Sequence, residues 1–109
     1  MKRGDLVTVS LPGGYGKPRP ALIIQSDLFN LHPSVVVLPI TSELRDTPLF
    51  RINLPPSDGN GLHKPSQVMV DKPFTLARTK VVDAPFGSID EGTMIEVERA
   101  LAVFLGIAK

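Results

Sequence analysis

Two short, strongly apolar segments constrain the fold more than any other part of the chain. Each of them, Ala21–Ile24 and Val35–Leu38, is uninterrupted by polar residues. Runs of this length, bounded by glycine and proline, are typical of buried strands. Arg19, between two prolines, precedes the first run, and Thr41 and Ser42 follow the second. If the two strands are neighbours, Arg19 and Thr41 meet at one rim of a sheet.

A fixed cation beside a hydroxyl suits phosphate chemistry. A guanidinium group stays charged and can donate two parallel hydrogen bonds to phosphate oxygens. A threonine hydroxyl can donate to a non-bridging oxygen, but it also often caps a backbone turn at a strand end. On the residues alone, Arg19 fits a phosphate ligand and a loop-closing surface cation equally well, and a turn cap is the better interpretation of Thr41.

The composition limits the kinds of protein and site that the chain can form. Its 109 residues, 42% of them apolar, predict a single domain, residues 1–109, with one packed core. The formal net charge is +1, so an RNA-binding surface requires local clustering of cations. The chain has no cysteine, and its two histidines, His32 and His63, are too far apart in sequence to suggest a metal centre. We expect no cofactor.

The sequence contains no signal for a membrane or for export. No apolar run approaches the roughly 20 residues that a membrane helix needs. Lys2 and Arg3 are followed by Gly4, Asp5 and an alternating strand instead of the apolar core of a signal peptide. We therefore expect a soluble, cytoplasmic protein.

Hydrophobic periodicity predicts several short strands followed by one helix. Strands are expected at 6–10, 19–25, 34–40, 49–54, 66–70 and 85–89, with a helical turn at 27–30 and one exposed face on 49–54. The segments 11–18 and 55–61 are predicted loops, the first of them mobile, and 73–80 is predicted to be irregular or a short helical turn. This order is typical of an α+β, mostly-β domain, a small antiparallel barrel with the helix packed on it.

The helix is expected near the C-terminus. Asp90 or Thr93 is the predicted N-cap, the latter in a capping box with Glu96, and Gly106 is placed to end the helix. An apolar stripe on this helix is expected to lie in the core; its residues are Met94, Val97, Leu101 and Phe104.

Five short motifs carry a resemblance to a known family. They are Lys2-Arg3-Gly4-Asp5, Arg19-Pro20, Pro39-Ile40-Thr41-Ser42, Lys64-Pro65-Ser66-Gln67-Val68 and Leu105-Gly106-Ile107. In this order they resemble the MazF/PemK family of toxin–antitoxin endoribonucleases over nearly the whole chain. The resemblance implies an SH3-like barrel with a C-terminal helix, a homodimer, an acidic antitoxin as partner and single-stranded RNA as substrate. It also implies metal-independent cleavage, in which the ribose 2′-hydroxyl attacks the adjacent phosphate and leaves a 2′,3′-cyclic phosphate.

The same resemblance makes Arg19 and Thr41 the expected catalytic residues. Residues from three segments are the expected RNA contacts: Lys17, Ser42, Ser66, Gln67, Asp71 and Lys72. Gln67 has the donor and acceptor groups that base edges require, although it equally fits the exposed face of a strand. Lys17 fits either a contact to the RNA backbone or a solvated loop, and Tyr15 can stack on a base or pack on the barrel.

Two departures from the family pattern leave alternatives open. Some members carry an arginine where this chain has Met69 or Phe74. The proton donor therefore stays open among Arg19, Lys72 and His63. A gyrase poison of the CcdB kind shares the fold and is the second interpretation. That activity is associated with a Trp-Gly-Ile terminus, and this chain contains no tryptophan. A non-catalytic barrel that binds RNA or a protein is the third interpretation.

Overall fold

The described residues form one antiparallel sheet and one long helix. The computed structural model describes residues 1–10, 17–82 and 84–108. The strands are β1 (Asp5–Ser10), β2 (Pro18–Ile23), β3 (Ser34–Thr41), β4 (Arg51–Leu54), β5 (Ser66–Met69), β6 (Phe74–Ala77) and β7 (Gly87–Ser88). Helix α1 spans Glu91–Phe104, and 3-10 turns occupy Asp27–Phe29 and Arg78–Lys80. Within these residues, no helix has both the length and the apolar character needed to cross a bilayer.

The sheet curls because β3 pairs with two successive strands on the same side. Its order is β4-β5-β3-β2-β1-β7, and β6 pairs with the first half of β3. Just after β6, Val81 forms a bridge back to Val9 of β1. The circuit from β1 through β2, β3 and β6 returns to β1 and gives a barrel-like half. This confirms the predicted small, mostly-β antiparallel barrel with a C-terminal helix.

Alternation along the strands divides the core into two layers. The first layer lies under α1 and consists of Leu6, Leu22, Leu38, Ile40, Leu54, Val68, Val70 and Val97. The second layer lies on the other side of the sheet, inside the curl, and consists of Val7, Val9, Ala21, Ile23, Val35, Val37, Leu76 and Val81. The continuous apolar runs in β2 and β3 exist because both faces of these strands are buried. Burying each such side chain contributes about 1.5–3 kcal/mol.

Helix α1 begins where a carboxylate caps it. Asp90 is the N-cap: the Thr93 amide donates to its carboxylate at 3.1 Å, and the Thr93 hydroxyl donates at 2.6 Å. The first of the two predicted caps is therefore confirmed, and the capping box of Thr93 with Glu96 is wrong, because the helix has already begun at Glu91.

The helix ends at a left-handed glycine, as predicted. Gly106 has φ +76°, and its amide donates to the Val103 carbonyl at 3.1 Å. Of the predicted apolar stripe, Val97 is fully buried, whereas Phe104 is 49% exposed. Phe104 lies in the last turn, beyond the part of the sheet that the helix covers, so its place in the predicted core is wrong.

Two strand predictions also need correction. The segment 73–80 contains strand β6 before its helical turn, because pairing with β3 stabilises an extended chain that the local sequence only weakly favours. In the segment 49–54, the apolar Leu49 is 79% exposed and the charged Arg51 is only 9% exposed. Residues 49 and 51 lie on the same face of a strand, so the exposed face predicted for this segment holds for Leu49 and is wrong for Arg51, for a reason that lies in the contacts of Arg51 described next.

Candidate active site

A row of polar side chains crosses one end of the sheet. Asn53 pairs with Gln67, and Gln67 pairs with Thr41. The β2–β3 ladder ends at the pair Ala21 and Pro39, and extending that register by two residues points Arg19 toward Thr41. Directly paired residues point to the same face of a sheet. All four side chains of the row therefore lie on the face opposite helix α1, beyond the second core layer.

This register directs Arg19 and Thr41 to the same rim of the sheet, and their pairing as catalytic residues stays a prediction. Arg19 is exposed, which leaves its guanidinium accessible to a ligand. The half-buried Thr41 is the last residue of β3, and its hydroxyl oxygen accepts from the Glu43 amide at 3.0 Å. This bond is the turn cap expected of a strand-end threonine. A hydroxyl also has one donor, and no described residue accepts from it, so the Thr41 proton is available to a ligand.

Gln67 lies at the centre of the row and is only 5% exposed. Its Oε1 accepts from the Arg45 amide at 3.0 Å and from Arg51 Nη1 at 2.9 Å. Its Nε2 donates to the Arg45 carbonyl and to Asn53 Oδ1, both at 2.9 Å. A glutamine amide can accept two hydrogen bonds and donate two, so this group is saturated. The base-reading role predicted for Gln67 is not available to it in this arrangement.

Arg51 is a buried cation on the same face. Its Nη1 donates to the Glu43 carbonyl at 3.0 Å as well as to Gln67, and its Nε is buried without a partner among the described residues. The described ion pairs are Arg3–Glu98 and Arg45–Glu43, both at 3.3 Å, and neither includes Arg51. A charge in a weakly screened position acts more strongly on its surroundings. Arg51 therefore adds positive potential beneath the loop that follows Thr41.

Ser66 is not part of this group. It precedes Gln67 on β5 and therefore points to the other face of the sheet, where it is 7% exposed and donates to the Lys64 carbonyl at 3.0 Å. The structure gives the predicted RNA contact of Ser66 no support, because its hydroxyl is buried and occupied.

The remaining predicted RNA contacts lie in three separate segments of the chain. Lys17 and Ser42 are exposed and lie beside β2 and at the end of β3. Asp71 and Lys72 form the turn between β5 and β6; Lys72 is exposed, and Asp71 Oδ1 is buried without a described partner. Tyr15 lies outside the described residues.

The two histidines lie in different loops, and neither takes part in the described hydrogen bonds of the row. His63 is exposed in the loop before β5, and His32 interacts with the backbone of Ser34. Within the described part of the chain, no three histidine, aspartate or glutamate side chains are grouped as a metal ion would require.

Sequence reasoning did not single out Arg51, Asn53 and Arg45. Arg51 stands in an alternating strand in which polar positions are expected to face solvent, and Arg45 lies in a loop. Only the register of β4 against β5 and of β5 against β3 brings these residues to Thr41. A single sequence contains no direct signal for that register.

The sequence and the fold match those of a known protein family. A family model described as the PemK-like, MazF-like toxin of type II toxin–antitoxin systems matches residues 2–105. The chain belongs to this family. The resemblance predicted from the five motifs is thereby confirmed over nearly the full length of this MazF/PemK-family chain.

Individual relatives agree with this assignment. The chain is 45% identical over 109 residues, covering 99% of both proteins, to a Mycolicibacterium smegmatis protein named probable endoribonuclease MazF. A mycobacterial endoribonuclease solved in complex with its cognate antitoxin is 29% identical, with a TM-score of 0.83 over 100% of this chain and 98% of the other. A MazE–MazF structure from Deinococcus radiodurans has a TM-score of 0.79 at 23% identity, over 99% and 97% of the two chains, and supports the fold alone.

Proposed function

We propose that this chain is the toxin of a type II toxin–antitoxin pair and a metal-independent, sequence-specific endoribonuclease for single-stranded RNA. As an mRNA interferase it would inhibit translation and growth from the cytoplasm. One observation supports the proposal: the β2–β3 register, which ends at the pair Ala21 and Pro39, directs Arg19 and Thr41 to the same rim, and no described residue accepts the Thr41 hydroxyl proton. Membership of the MazF/PemK toxins and the 45% identity to a probable endoribonuclease support the same activity. We propose that residues 1–109 act as one toxin domain.

The reaction begins with attack of the ribose 2′-hydroxyl on the adjacent phosphorus. The new bond from the 2′-oxygen to phosphorus forms, the bond to the 5′-oxygen breaks, and one proton leaves the nucleophile while another reaches the leaving group. Arg19 binds two phosphate oxygens and offsets the charge that grows on them. The Thr41 hydroxyl donates a hydrogen bond to a non-bridging oxygen and keeps its proton. The products are a 2′,3′-cyclic phosphate and a 5′-hydroxyl.

The exposed polar residues around this pair are the proposed contacts to the rest of the RNA. Lys17, Ser42 and Lys72 are exposed, and two of them are cations that can follow a phosphate backbone. Because the net charge is only +1, RNA binding by this chain would depend on these individual exposed cations. The same cations make the rim attractive to an acidic antitoxin segment, which we propose as the protein partner.

We also propose that the chain forms a homodimer through the edge of the sheet. An open groove of about 600 Å³ lies between the edge strand β4 and helix α1 and exposes Leu49 and Val103. A charge at its centre should prevent association, so Val103→Asp is expected to be monomeric by light scattering. Leu31→Asp changes a side chain that is 93% exposed on a distant turn and should remain dimeric. Equal oligomeric states for the two variants would exclude this groove as the interface.

The activity is tested by incubating a long unstructured RNA with the purified protein in excess EDTA and mapping the new ends. We expect discrete cuts with cyclic-phosphate ends, and their loss in Arg19→Ala. A folded wild-type protein that cuts none of several varied RNAs would overturn the proposed function. Trapped gyrase–DNA complexes, or RNA binding without cleavage, would identify the alternative that replaces it.

A further inference from the structure

We propose that Gln67 and Arg51 form a buried clamp that positions the Thr41 hydroxyl by fixing the backbone of residues 43–45. This inference rests on the proposed ribonuclease activity and deepens it. It assigns Gln67 a positioning role in place of base recognition, and it gives Arg51, which the sequence did not single out, a part in the site.

Gln67 continues the sheet beyond the point where strand β3 ends. Its side-chain amide accepts from the Arg45 N–H and donates to the Arg45 C=O, at 3.0 and 2.9 Å. These are the two bonds that a residue of a neighbouring strand would exchange in an antiparallel ladder. The side chain thus acts as an extra peptide unit, and it orders a loop segment that forms no strand of its own.

Arg51 holds the same loop from beneath. Its Nη1 donates to the Glu43 carbonyl at 3.0 Å and to Gln67 Oε1 at 2.9 Å, so one nitrogen joins the loop to the glutamine. The side chain is 9% exposed and takes part in none of the described ion pairs. A buried charge without an opposite charge is unfavourable for stability, and an apolar side chain of similar volume usually costs less. A destabilising residue at this position is consistent with a functional constraint.

The clamp reaches the reactive hydroxyl through one residue. Glu43, whose carbonyl is held by Arg51, donates its amide to Thr41 Oγ1 at 3.0 Å. That bond occupies one lone pair of the hydroxyl oxygen and fixes the position of the oxygen, and the proton remains free to be donated to a ligand. A shift of about 1 Å in such a group can lower a rate about a hundredfold. Loosening the loop should therefore affect the chemical step more than RNA binding.

The decisive variant is Gln67→Met, which keeps the volume and removes all four hydrogen bonds. We expect kcat to fall at least about tenfold, with KM for RNA and the set of cleaved sequences unchanged. The Arg45 amide should exchange its hydrogen faster, which is measured without any substrate. If Gln67→Met does not fold, Arg51→Lys replaces it as the test variant. This substitution keeps the charge but loses the planar fork, so we expect a smaller loss of kcat, again with KM unchanged.

Gln25→Met is the matched control. Gln25 holds the loop at the other end of the sheet in the same manner, donating to the Phe29 and Ser34 carbonyls and accepting from the Val36 amide, each at 3.0 Å. Its loss should lower stability and leave kcat of the folded protein unchanged. Equal kcat losses in Gln25→Met and Gln67→Met would overturn the positioning role.

The remaining outcomes separate this inference from the proposed function. A raised KM or an altered set of cleaved sequences in Gln67→Met would restore the base-reading interpretation and reject the clamp. Unchanged exchange of the Arg45 amide would show that Gln67 does not order the loop. A folded wild-type protein that cleaves no RNA would overturn the ribonuclease itself, irrespective of how the amide behaves.

Discussion

Thr41→Val separates the two roles that the structure gives to one hydroxyl. The hydroxyl oxygen caps the loop through the Glu43 amide at 3.0 Å, in an exposed position. A hydrogen bond contributes a net of about 0.5–1.5 kcal/mol to stability. Because water can replace this bond, we expect the free energy of unfolding to fall by about 0.5 kcal/mol. Removing a donor to the charge that develops in a transition state costs about 10²–10³ in kcat, or about 2.7–4 kcal/mol. The activity loss should therefore exceed the stability loss several-fold.

The assay compares single-turnover cleavage of one RNA substrate with the free energy of unfolding from denaturant titration. Thr47→Val is the control, because Thr47 lies in the same connecting segment and its Oγ1 is buried without a described partner. Replacing that hydroxyl with a methyl group removes an unsatisfied polar atom, so stability should be unchanged or slightly higher and cleavage unaffected. If Thr41→Val retains more than about a third of the wild-type rate, the hydroxyl is a turn cap only, and the proposed donation to phosphate is refuted.

Two further predictions concern the scaffold. A Cβ at Gly87 would overlap the backbone of Asn60, so Gly87→Ala should lower the free energy of unfolding by about 3 kcal/mol or more. Gly59→Ala is the control: no atom lies near the added methyl group, so the free energy of unfolding should change by less than about 0.5 kcal/mol. Equal denaturant midpoints for the two variants would contradict this prediction. Hydrogen bonds from the Thr93 hydroxyl, and secondarily from the Thr93 amide, lower the pKa of the Asp90 carboxyl. The stabilisation of the folded state by the Asp90 carboxylate is therefore present above about pH 4, and it is lost as the pH falls through the lower folded-state pKa. The Tm difference between the wild type and Asp90→Ala should accordingly be largest near neutral pH and narrow in acid, and a pH-independent difference would contradict it.

The elements predicted best from the sequence are those whose local signals agree with their final environment. Strands β2 and β3 are continuous apolar runs because each is buried on both faces. Helix α1 has a capping carboxylate at one end and Gly106 at the other. Strand β6 was missed because its extended form depends on pairing with β3, and such a tertiary contact overrides a weak local preference.

The site was only half predictable for the same reason. Arg19 lies at the start of one clearly predicted strand, and Thr41 lies at the end of the next one. Strands that are consecutive in sequence are often neighbours in a sheet, so the sequence could predict that both residues lie at the same rim. Gln67 was expected to be exposed because its polar side chain alternates with apolar neighbours. Alternation shows which residues share a face but not whether a loop covers that face. Here the backbone of Arg45 covers it, and a residue proposed to read bases is fully used within the protein.

The register of β4 and β5 shows which side chain lies beside Met69, one of the two positions at which the chain departs from the family pattern. Arg51 pairs directly with Met69 across β4 and β5, and paired side chains lie on the same face, with Cβ atoms about 4.5–5.5 Å apart. Arg51 therefore projects its guanidinium from the strand next to position 69, where the family resemblance implies an arginine in some members. Its charge is the same, but its hydrogen bonds are directed to Glu43 and Gln67 instead of outward. A buried cation whose hydrogen bonds are directed into the protein suits an electrostatic and positioning role better than direct transfer of a proton to the leaving oxygen.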